Sequence, residues 1–136
     1  MIGLDTNVLV RYLTQDHAEQ SPQANDLIES CCTMENPAMI ATVVLCELVW
    51  VLRGAYKYEK HWVIKVLEQI LSTKEFAIED PHSAGSALAA YRRGPADFSD
   101  YIIIYKNRSA GCETTYTFDH KLARHNRARI LDLTEK

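Results

Sequence analysis

The chain has 136 residues and a formal net charge of −3 at pH 7, and its length suits a single domain over residues 1–136 because two cores would leave each half too small. Hydrophobic residues make up 47% and charged residues 24% of the sequence, a globular composition that excludes wholesale disorder. Taken alone, the acidic balance argues against a nucleic-acid-binding protein, which usually carries an excess of basic residues.

The start of the chain has no basic segment followed by an apolar one, so the sequence does not predict a signal peptide. The longest apolar stretch, residues 38–52, is shorter than the roughly 20 residues that a membrane-spanning helix needs. The four cysteines form no C-x-x-C pair, and no histidine lies at metal-ligand spacing from any of them. These features favour a cytoplasmic protein with reduced thiols and no association with a membrane.

The first half of the chain alternates strand and helix patterns. The predicted elements are a strand over 2–4, helices over 8–14 and 21–32, a strand over 38–41, helices over 42–53 and 58–72, and a strand over 76–78. Asn7 suits the N-cap of the first helix, and Thr42 that of the third, which Gly54 ends. The third helix is apolar nearly all round, which predicts burial on most sides.

The second half continues the alternation. The predicted elements are a helix over 81–94 that Pro81 opens, a helix over 97–110 that Gly111 ends, a strand over 114–118, a helix over 119–124 and a strand over 130–133. The run 101–105 is apolar enough for a strand, but its polar continuation favours the helix. Strands that alternate with helices predict a parallel sheet covered on both faces, with the functional site at the carboxyl ends of the strands.

Four acidic residues stand out from the other fourteen by their sequence context. Asp5 and Asp119 each follow a predicted strand, and parallel strands bring their carboxyl ends to the same edge of a sheet. Asp100 lies in the first turn of the helix over 97–110. Glu47 interrupts the most apolar predicted helix, where an unpaired carboxylate is costly.

Each acid also has a purely structural interpretation. Asp5 and Asp119 would each cap the helix that follows, and the helix dipole stabilises an acid near a helix N-terminus. Asp97 likewise suits the N-cap position of its helix. For Glu47 the alternative is an ion pair with a buried arginine.

The combination of the four acids is more informative than any single one. Two carboxylates about 4 Å apart repel each other by about 4 kcal/mol at an effective dielectric constant of roughly 20. A fold tolerates such repulsion when a cation compensates it, and all-oxygen ligands suit Mg²⁺ or Mn²⁺ rather than zinc. Such ions commonly act on phosphates, where they activate water and neutralise the leaving oxygen.

Four segments occur in an order that resembles one known family: LDTNVLVRYL, CELVWVL, ADFSDYIII and TYTFDHKLAR. Together they look like a PIN-domain ribonuclease of the VapC toxin type, and the resemblance covers essentially the whole chain. It implies a three-layer α/β/α sandwich around a parallel sheet of four or five strands. It also implies a metal-dependent endoribonuclease, the toxin of a toxin–antitoxin pair, with RNA as substrate, a small antitoxin protein as partner and a homodimer as assembly.

The resemblance further implies which residues carry the activity. The family's acidic quartet corresponds to Asp5, Glu47, Asp100 and Asp119, which are expected to be catalytic and to bind Mg²⁺, with Mn²⁺ as the alternative ion. Asp5 and Asp100 are expected to hold the metal, while Glu47 and Asp119 complete its shell, orient the attacking water or hold a second ion. The auxiliary residues of the site are Thr6, Asn7, Asp97 and Thr117.

Charge is unevenly distributed along the chain. Residues 1–52 carry seven acids and one arginine, a net charge of −6, whereas residues 92–129 carry eight bases and four acids, a net charge of +4. The basic segment therefore offers a phosphate-binding surface despite the acidic total. The candidate RNA-binding residues are Arg11, Arg92, Arg93 and Arg124. Solvated helix surfaces are the alternative for these arginines, and for Arg11 an ion pair with an acid.

The remaining candidates are a histidine and a group of aromatic residues. His120, next to Asp119, is the only histidine near the expected site. Its two possible roles are a general acid and a surface residue without a function. Core packing is the expected role of Tyr56, Tyr58 and the two tryptophans, Trp50 and Trp62. In the toxins that the sequence resembles, helices of this region form a groove for the antitoxin and contribute to dimerisation.

Two other classes of function compete with the ribonuclease. A haloacid-dehalogenase-like phosphatase also begins with a strand that ends in aspartate, but it needs a second aspartate two residues later, where this chain has Asn7. A non-catalytic PIN-fold scaffold that binds RNA or protein would be marked by loss of acids from the quartet, and all four are present.

Overall fold

Short strands alternate with helices along the chain. The computed structural model describes residues 1–132 and 134 and divides the chain into two units, Met1–Pro81 and His82–Lys136. Every strand pairing in the described residues is parallel, as the alternation of strands and helices predicts. Among the described helices, none has the length and apolar character needed to cross a bilayer.

Unit 1 contains three strands and four helices. Its elements are β1 (Ile2–Gly3), α1 (Thr6–Thr14), α2 (Gln20–Cys31), β2 (Ala38–Ile40), α3 (Thr42–Gly54), α4 (Lys60–Ser72) and β3 (Phe76–Ile78). The strand order is β1-β2-β3, and Ala38 of β2 lies between Ile2 and Phe76 in the register. Leucine and other aliphatic side chains from the helices form the core, including the fully buried Leu45 and Leu67.

Two helix starts in unit 1 differ from the predictions. The N-cap of α1 is Asp5 rather than Asn7, because the Asp5 carboxylate accepts a hydrogen bond from the Thr6 backbone and the helix begins two residues earlier. Thr42 does not cap α3 with its side chain. Instead the Thr42 N–H donates to Glu79 Oε1 at 2.8 Å, so a residue that follows β3 satisfies this helix end.

The prediction that α3 is buried on most sides is only partly correct. Its inner side is packed, with Leu45 and Leu48 inaccessible to solvent, but Val43 is 61% exposed and Trp50 55% exposed. Trp62, on α4, is 52% exposed. Core packing is therefore wrong for both tryptophans, which leave an unusually apolar surface on unit 1.

Unit 2 contains the basic segment. Its elements are α5 (Pro81–Arg93), α6 (Phe98–Ser109), β4 (Thr115–Thr117), a 3₁₀ helix (Leu122–Arg124) and β5 (Ala128–Ile130), and β4 pairs with β5. The apolar run 101–105 lies within α6, so the prediction of a helix there is correct. Gly111 follows this helix with a φ of 97°, a left-handed conformation that glycine adopts without strain.

The end of the chain is less regular than predicted. The helix expected over 119–124 is reduced to the 3₁₀ helix, because the Asp119 side chain accepts a hydrogen bond from the Lys121 N–H and forms a local turn. The last strand begins two residues before the predicted start at Ile130. Leu133, the predicted end of that strand, lies outside the described residues.

Candidate functional site

Asp5 is positioned by the turn from β1 into α1. Its backbone is extended, with φ −78° and ψ 159°, and its Oδ1 accepts a hydrogen bond from the Thr6 N–H at 2.7 Å. The helix-cap interpretation is thus correct for this residue. One carboxylate oxygen accepts the capping hydrogen bond, which fixes this acid at the end of the first strand. The residue is exposed to solvent.

Glu47 is half-buried on α3, and its partner is a hydroxyl. The Oγ1 of Thr6 donates a hydrogen bond to Glu47 Oε1 at 2.9 Å, and Thr6 itself is 8% exposed. Within the described part of the chain Glu47 forms no ion pair, so the alternative interpretation, a buried arginine partner, is wrong. The Thr6 hydrogen bond holds this acid in place without neutralising its charge.

Asp5, Thr6 and Glu47 line one cavity of about 460 Å³ in unit 1, which we call the Asp5 cavity. Asn7, Arg11 and Tyr56 also line it. Arg11 is held by three groups: Tyr56 Oη at 3.1 Å, Gln20 Oε1 at 2.8 Å and Asp16 Oδ1 at 3.7 Å. The ion pair with an acid, the alternative considered for Arg11, is therefore present. The contact of Tyr56 with Arg11 was not predicted, because core packing was the expected role of Tyr56.

Asp97 and Asp100 sit together at the start of α6 in unit 2. Asp97 is the N-cap, and its backbone N–H donates to Asp100 Oδ2 at 3.2 Å in a capping-box arrangement. Burial raises the pKa of Asp100, and the negative charges of Asp97 and Asp119 raise it further, against a lowering by the Asp97 hydrogen bond. The half-buried Asp100 therefore lies in a locally anionic environment.

Asp119 is exposed and lies two residues after the end of β4. Its Oδ1 accepts from the Lys121 N–H at 2.8 Å, and its own N–H donates to Thr117 Oγ1 at 3.0 Å. Thr117 therefore orients the backbone of Asp119. The charge of Asp119 is one of the causes that raise the pKa of Asp100, so the two carboxylates lie near each other in unit 2.

The candidate acids fit a divalent cation by their chemistry. All are carboxylates, and the hydroxyl groups of Thr6 and Thr117 add further oxygen atoms, a donor set that suits Mg²⁺ or Mn²⁺. A cation would also relieve the negative charge that raises the pKa of Asp100. Within residues 1–132 and 134, no three His, Cys, Asp or Glu side chains are grouped as a metal site, so the fit concerns donor type and charge.

The candidate RNA-binding arginines occupy different settings. Arg92 and Arg93 are exposed at the end of α5, and Arg124 is exposed at the end of the 3₁₀ helix. His120 is exposed. Sequence analysis overlooked His125, whose ring contacts Tyr101 and Tyr105. The spacing of these two tyrosines, four residues apart on one helix, indicates that they share a face of it, but it does not point to His125.

Two comparisons with known proteins bear on these residues. The family model of the PIN domain matches residues 2–128 of the chain. A VapC ribonuclease of Aquifex aeolicus (strain VF5) is 25% identical over 118 residues, which make up 87% of this chain and 87% of that protein. The span that the family model matches contains every candidate acid and runs through both units.

Proposed function

Because the chain belongs to the PIN-domain family, which confirms the predicted α/β/α fold class, we propose that it is a metal-dependent endoribonuclease acting on RNA in the cytoplasm. The family match spans both units, which supports one PIN domain over residues 1–136. The similar VapC ribonuclease supports RNA as the substrate class. It also supports a role as the toxin of a toxin–antitoxin pair.

One observation carries the proposal most directly: a charged acid is retained on the apolar helix α3 and faces the Asp5 cavity. Glu47 interrupts a run of buried aliphatic residues and is bonded only to the neutral Thr6 hydroxyl among the described residues. A half-buried carboxylate with a neutral partner lowers the stability of the fold. Its presence at this position therefore calls for a functional reason. Metal-assisted hydrolysis supplies such a reason.

The proposed metal ligands are the four carboxylates of Asp5, Glu47, Asp100 and Asp119. When bound, Mg²⁺ or Mn²⁺ would lower the pKa of a water molecule and neutralise charge on the phosphate. The capping hydrogen bond fixes Asp5, and the Thr6 hydroxyl fixes Glu47. Thr117 fixes the backbone of Asp119. These contacts let the acids hold one geometry when a phosphate enters.

The remaining residues of the Asp5 cavity suit the substrate. Arg11 carries a positive charge next to the acids and is held by Tyr56 and Gln20, so we propose that it contacts a phosphate oxygen. Asn7 is exposed on α1 beside it. Attack of water on phosphorus breaks the bond to the 3′ oxygen. A carboxylate accepts one proton of the water, and the leaving 3′ oxygen takes up a proton from the solvent. The products are a 5′-phosphate and a 3′-hydroxyl.

The experiment that tests this proposal measures cleavage of a mixture of cellular RNA by the purified chain. We expect cleavage with Mg²⁺ or Mn²⁺ and none with EDTA. Asp5→Asn and Asp100→Asn should each lower the rate at least about 100-fold, because each removes a charge from the metal ligands. Sequencing of the cut ends should find a 5′-phosphate.

A matched control keeps this test specific. Asp26 lies exposed on α2, so Asp26→Asn removes the same charge away from the candidate acids and should cleave as fast as the parent protein. Full activity in both Asp5→Asn and Asp100→Asn would overturn the metal-site proposal. RNA binding without cleavage by the parent chain would favour the non-catalytic scaffold instead.

The exposed aromatic surface of unit 1 supports the proposed antitoxin partner. Tyr58, Trp62 and Lys65 line a groove of about 1040 Å³ along α4. The Lys65 ammonium lies 5.0 Å from the centre of the Trp62 ring. An amphipathic segment of a small antitoxin would cover this apolar surface. A homodimer is part of the same proposal, and sedimentation with and without a co-expressed antitoxin tests both.

A further inference from the structure

Unit 2 contains a second pocket, separate from the Asp5 cavity, whose chemistry suits one nucleotide. The pocket measures about 420 Å³, within the range of about 300–1,000 Å³ usual for small-ligand sites. We call it the α5–α6 pocket. Its walls come from α5, α6 and the 3₁₀ helix, and the residues that matter here are Arg93, Pro95, Tyr101, Tyr105, Arg124 and His125.

The charges of this pocket select an anion. Arg93 and Arg124 are exposed at its rim, and none of its lining residues within 1–132 and 134 is acidic. In the described part of the chain neither guanidinium forms a salt bridge. Two unneutralised guanidinium groups beside a cavity favour a phosphate, which each can bind through two hydrogen bonds. Arg92 does not line the pocket, and Arg11 lies in unit 1.

The floor of the pocket is aromatic and held in place. Tyr101 is 2% exposed, and its hydroxyl accepts a hydrogen bond from the Ala96 N–H at 3.2 Å. Gly94 makes room for this hydroxyl, since a Cβ there would overlap it. Tyr101 therefore forms a fixed, buried support, and the half-buried ring of Tyr105 with the exposed ring of Pro95 offers a surface for the flat face of a base.

The hydrogen bonds of His125 leave a hydroxyl donor at the pocket. His125 Nδ1 accepts from the Arg127 N–H at 3.1 Å, and burial, with the Arg127 charge, lowers the pKa of this histidine. The neutral ring therefore carries its proton on Nε2, which donates to Tyr105 Oη at 3.0 Å. The Tyr105 hydrogen is then free to bond to an acceptor other than His125.

We infer that the α5–α6 pocket binds one nucleotide of a single-stranded RNA, with the phosphate on Arg93 and Arg124 and the base against Tyr105 and Pro95. The Tyr105 hydroxyl donates to an acceptor of the base or the ribose. This inference rests on the proposed ribonuclease function and adds a substrate-binding site in unit 2. The pocket would thus recognise a nucleotide of the RNA through residues other than the proposed catalytic acids.

The test measures binding of a fluorescein-labelled single-stranded RNA to the full chain in EDTA, by fluorescence anisotropy. The double variant Arg93→Gln/Arg124→Gln should bind about tenfold more weakly, because two phosphate contacts are lost. The control Arg108→Gln/Arg129→Gln removes the same charge at exposed positions of unit 2 outside the pocket. It should lose no more than about threefold. Equal losses in the two double variants would overturn the inference.

A second measurement separates a nucleotide from a bare anion. In NMR spectra, adenosine monophosphate should shift the ring protons of His125, and Tyr105→Phe should weaken this binding about threefold without lowering the melting temperature by more than about 2 °C. Inorganic phosphate or oligoglutamate that binds the pocket as tightly as the nucleotide would contradict the inference. Since neither assay contains a divalent ion or measures cleavage, the outcome is independent of whether the chain cuts RNA.

Discussion

The acids of unit 1 and the acids of unit 2 are held by different means. In unit 1, Asp5 caps a helix and Glu47 accepts a hydrogen bond from the Thr6 hydroxyl, so a hydrogen bond fixes each carboxylate. In unit 2, burial and two neighbouring carboxylates raise the pKa of Asp100. The first set is therefore preorganised by hydrogen bonds, whereas in the second the charge of Asp100 is disfavoured by burial and by its acidic neighbours, a penalty that a cation would offset.

The largest expected effect concerns Glu47 of unit 1, which the Thr6 hydroxyl holds in position. Glu47→Gln keeps an acceptor for the Thr6 hydroxyl but removes the charge, and it should slow RNA cleavage at least about 100-fold. Thr6→Val keeps the shape and the charge but removes the hydrogen bond, and it should slow cleavage only about tenfold. Rates at saturating Mg²⁺ with a labelled RNA measure both.

These two variants distinguish charge from positioning at Glu47. If Thr6→Val were as slow as Glu47→Gln, the hydroxyl would do more than hold the acid. If Thr6→Val cleaved at the parent rate, the preorganisation of unit 1 would be without effect on the reaction. Circular dichroism of both variants controls for loss of the fold.

The next effect is on stability and concerns Asp5. Asp5→Ala removes the N-cap of α1 and should lower the free energy of unfolding by about 1 kcal/mol. Asp5→Asn keeps a capping oxygen and should stay within about 0.5 kcal/mol of the parent protein. Urea titrations in EDTA measure both values. A cost as large for asparagine as for alanine would show that the negative charge, and not the cap, stabilises this helix start.

The strands and the positions of most helices follow from local sequence patterns, but several contacts of the site do not. The alternation of apolar runs and helix signals is local, so the pattern predicts β3 at its observed bounds. The Thr6–Glu47 hydrogen bond joins residues 41 positions apart, and the cap of α3 comes from Glu79, 37 positions away. Such contacts depend on tertiary packing, which a sequence pattern does not encode.

The site residues divide in the same way. Asp5 and Asp119 are predictable because a strand end followed by a polar residue is a local signal. The cluster of Tyr105 with His125 is not, since the turn that carries His125 is a 3₁₀ helix where a regular helix was predicted. The loss of that helix changes which side chains face α6, and with them the chemistry of the α5–α6 pocket.

The smallest expected effect tests the charge-crowded side of the comparison. Because the folded state raises the pKa of Asp100 above its ordinary value of 3.8, ionisation of this acid opposes folding. The penalty is absent below the ordinary value, grows as the pH rises towards the raised pKa, and is fully present above it. Asp100→Asn removes the charge and keeps an oxygen for the Asp97 N–H. In EDTA it should therefore raise the melting temperature at neutral pH by roughly 2 °C and leave it unchanged in acid.

Thermal melts across this pH range, with Asp26→Asn as the control, measure the difference. An equal shift in the two variants at neutral pH would show that the acids of unit 2 store no repulsion, and the contrast with unit 1 would then be one of geometry alone.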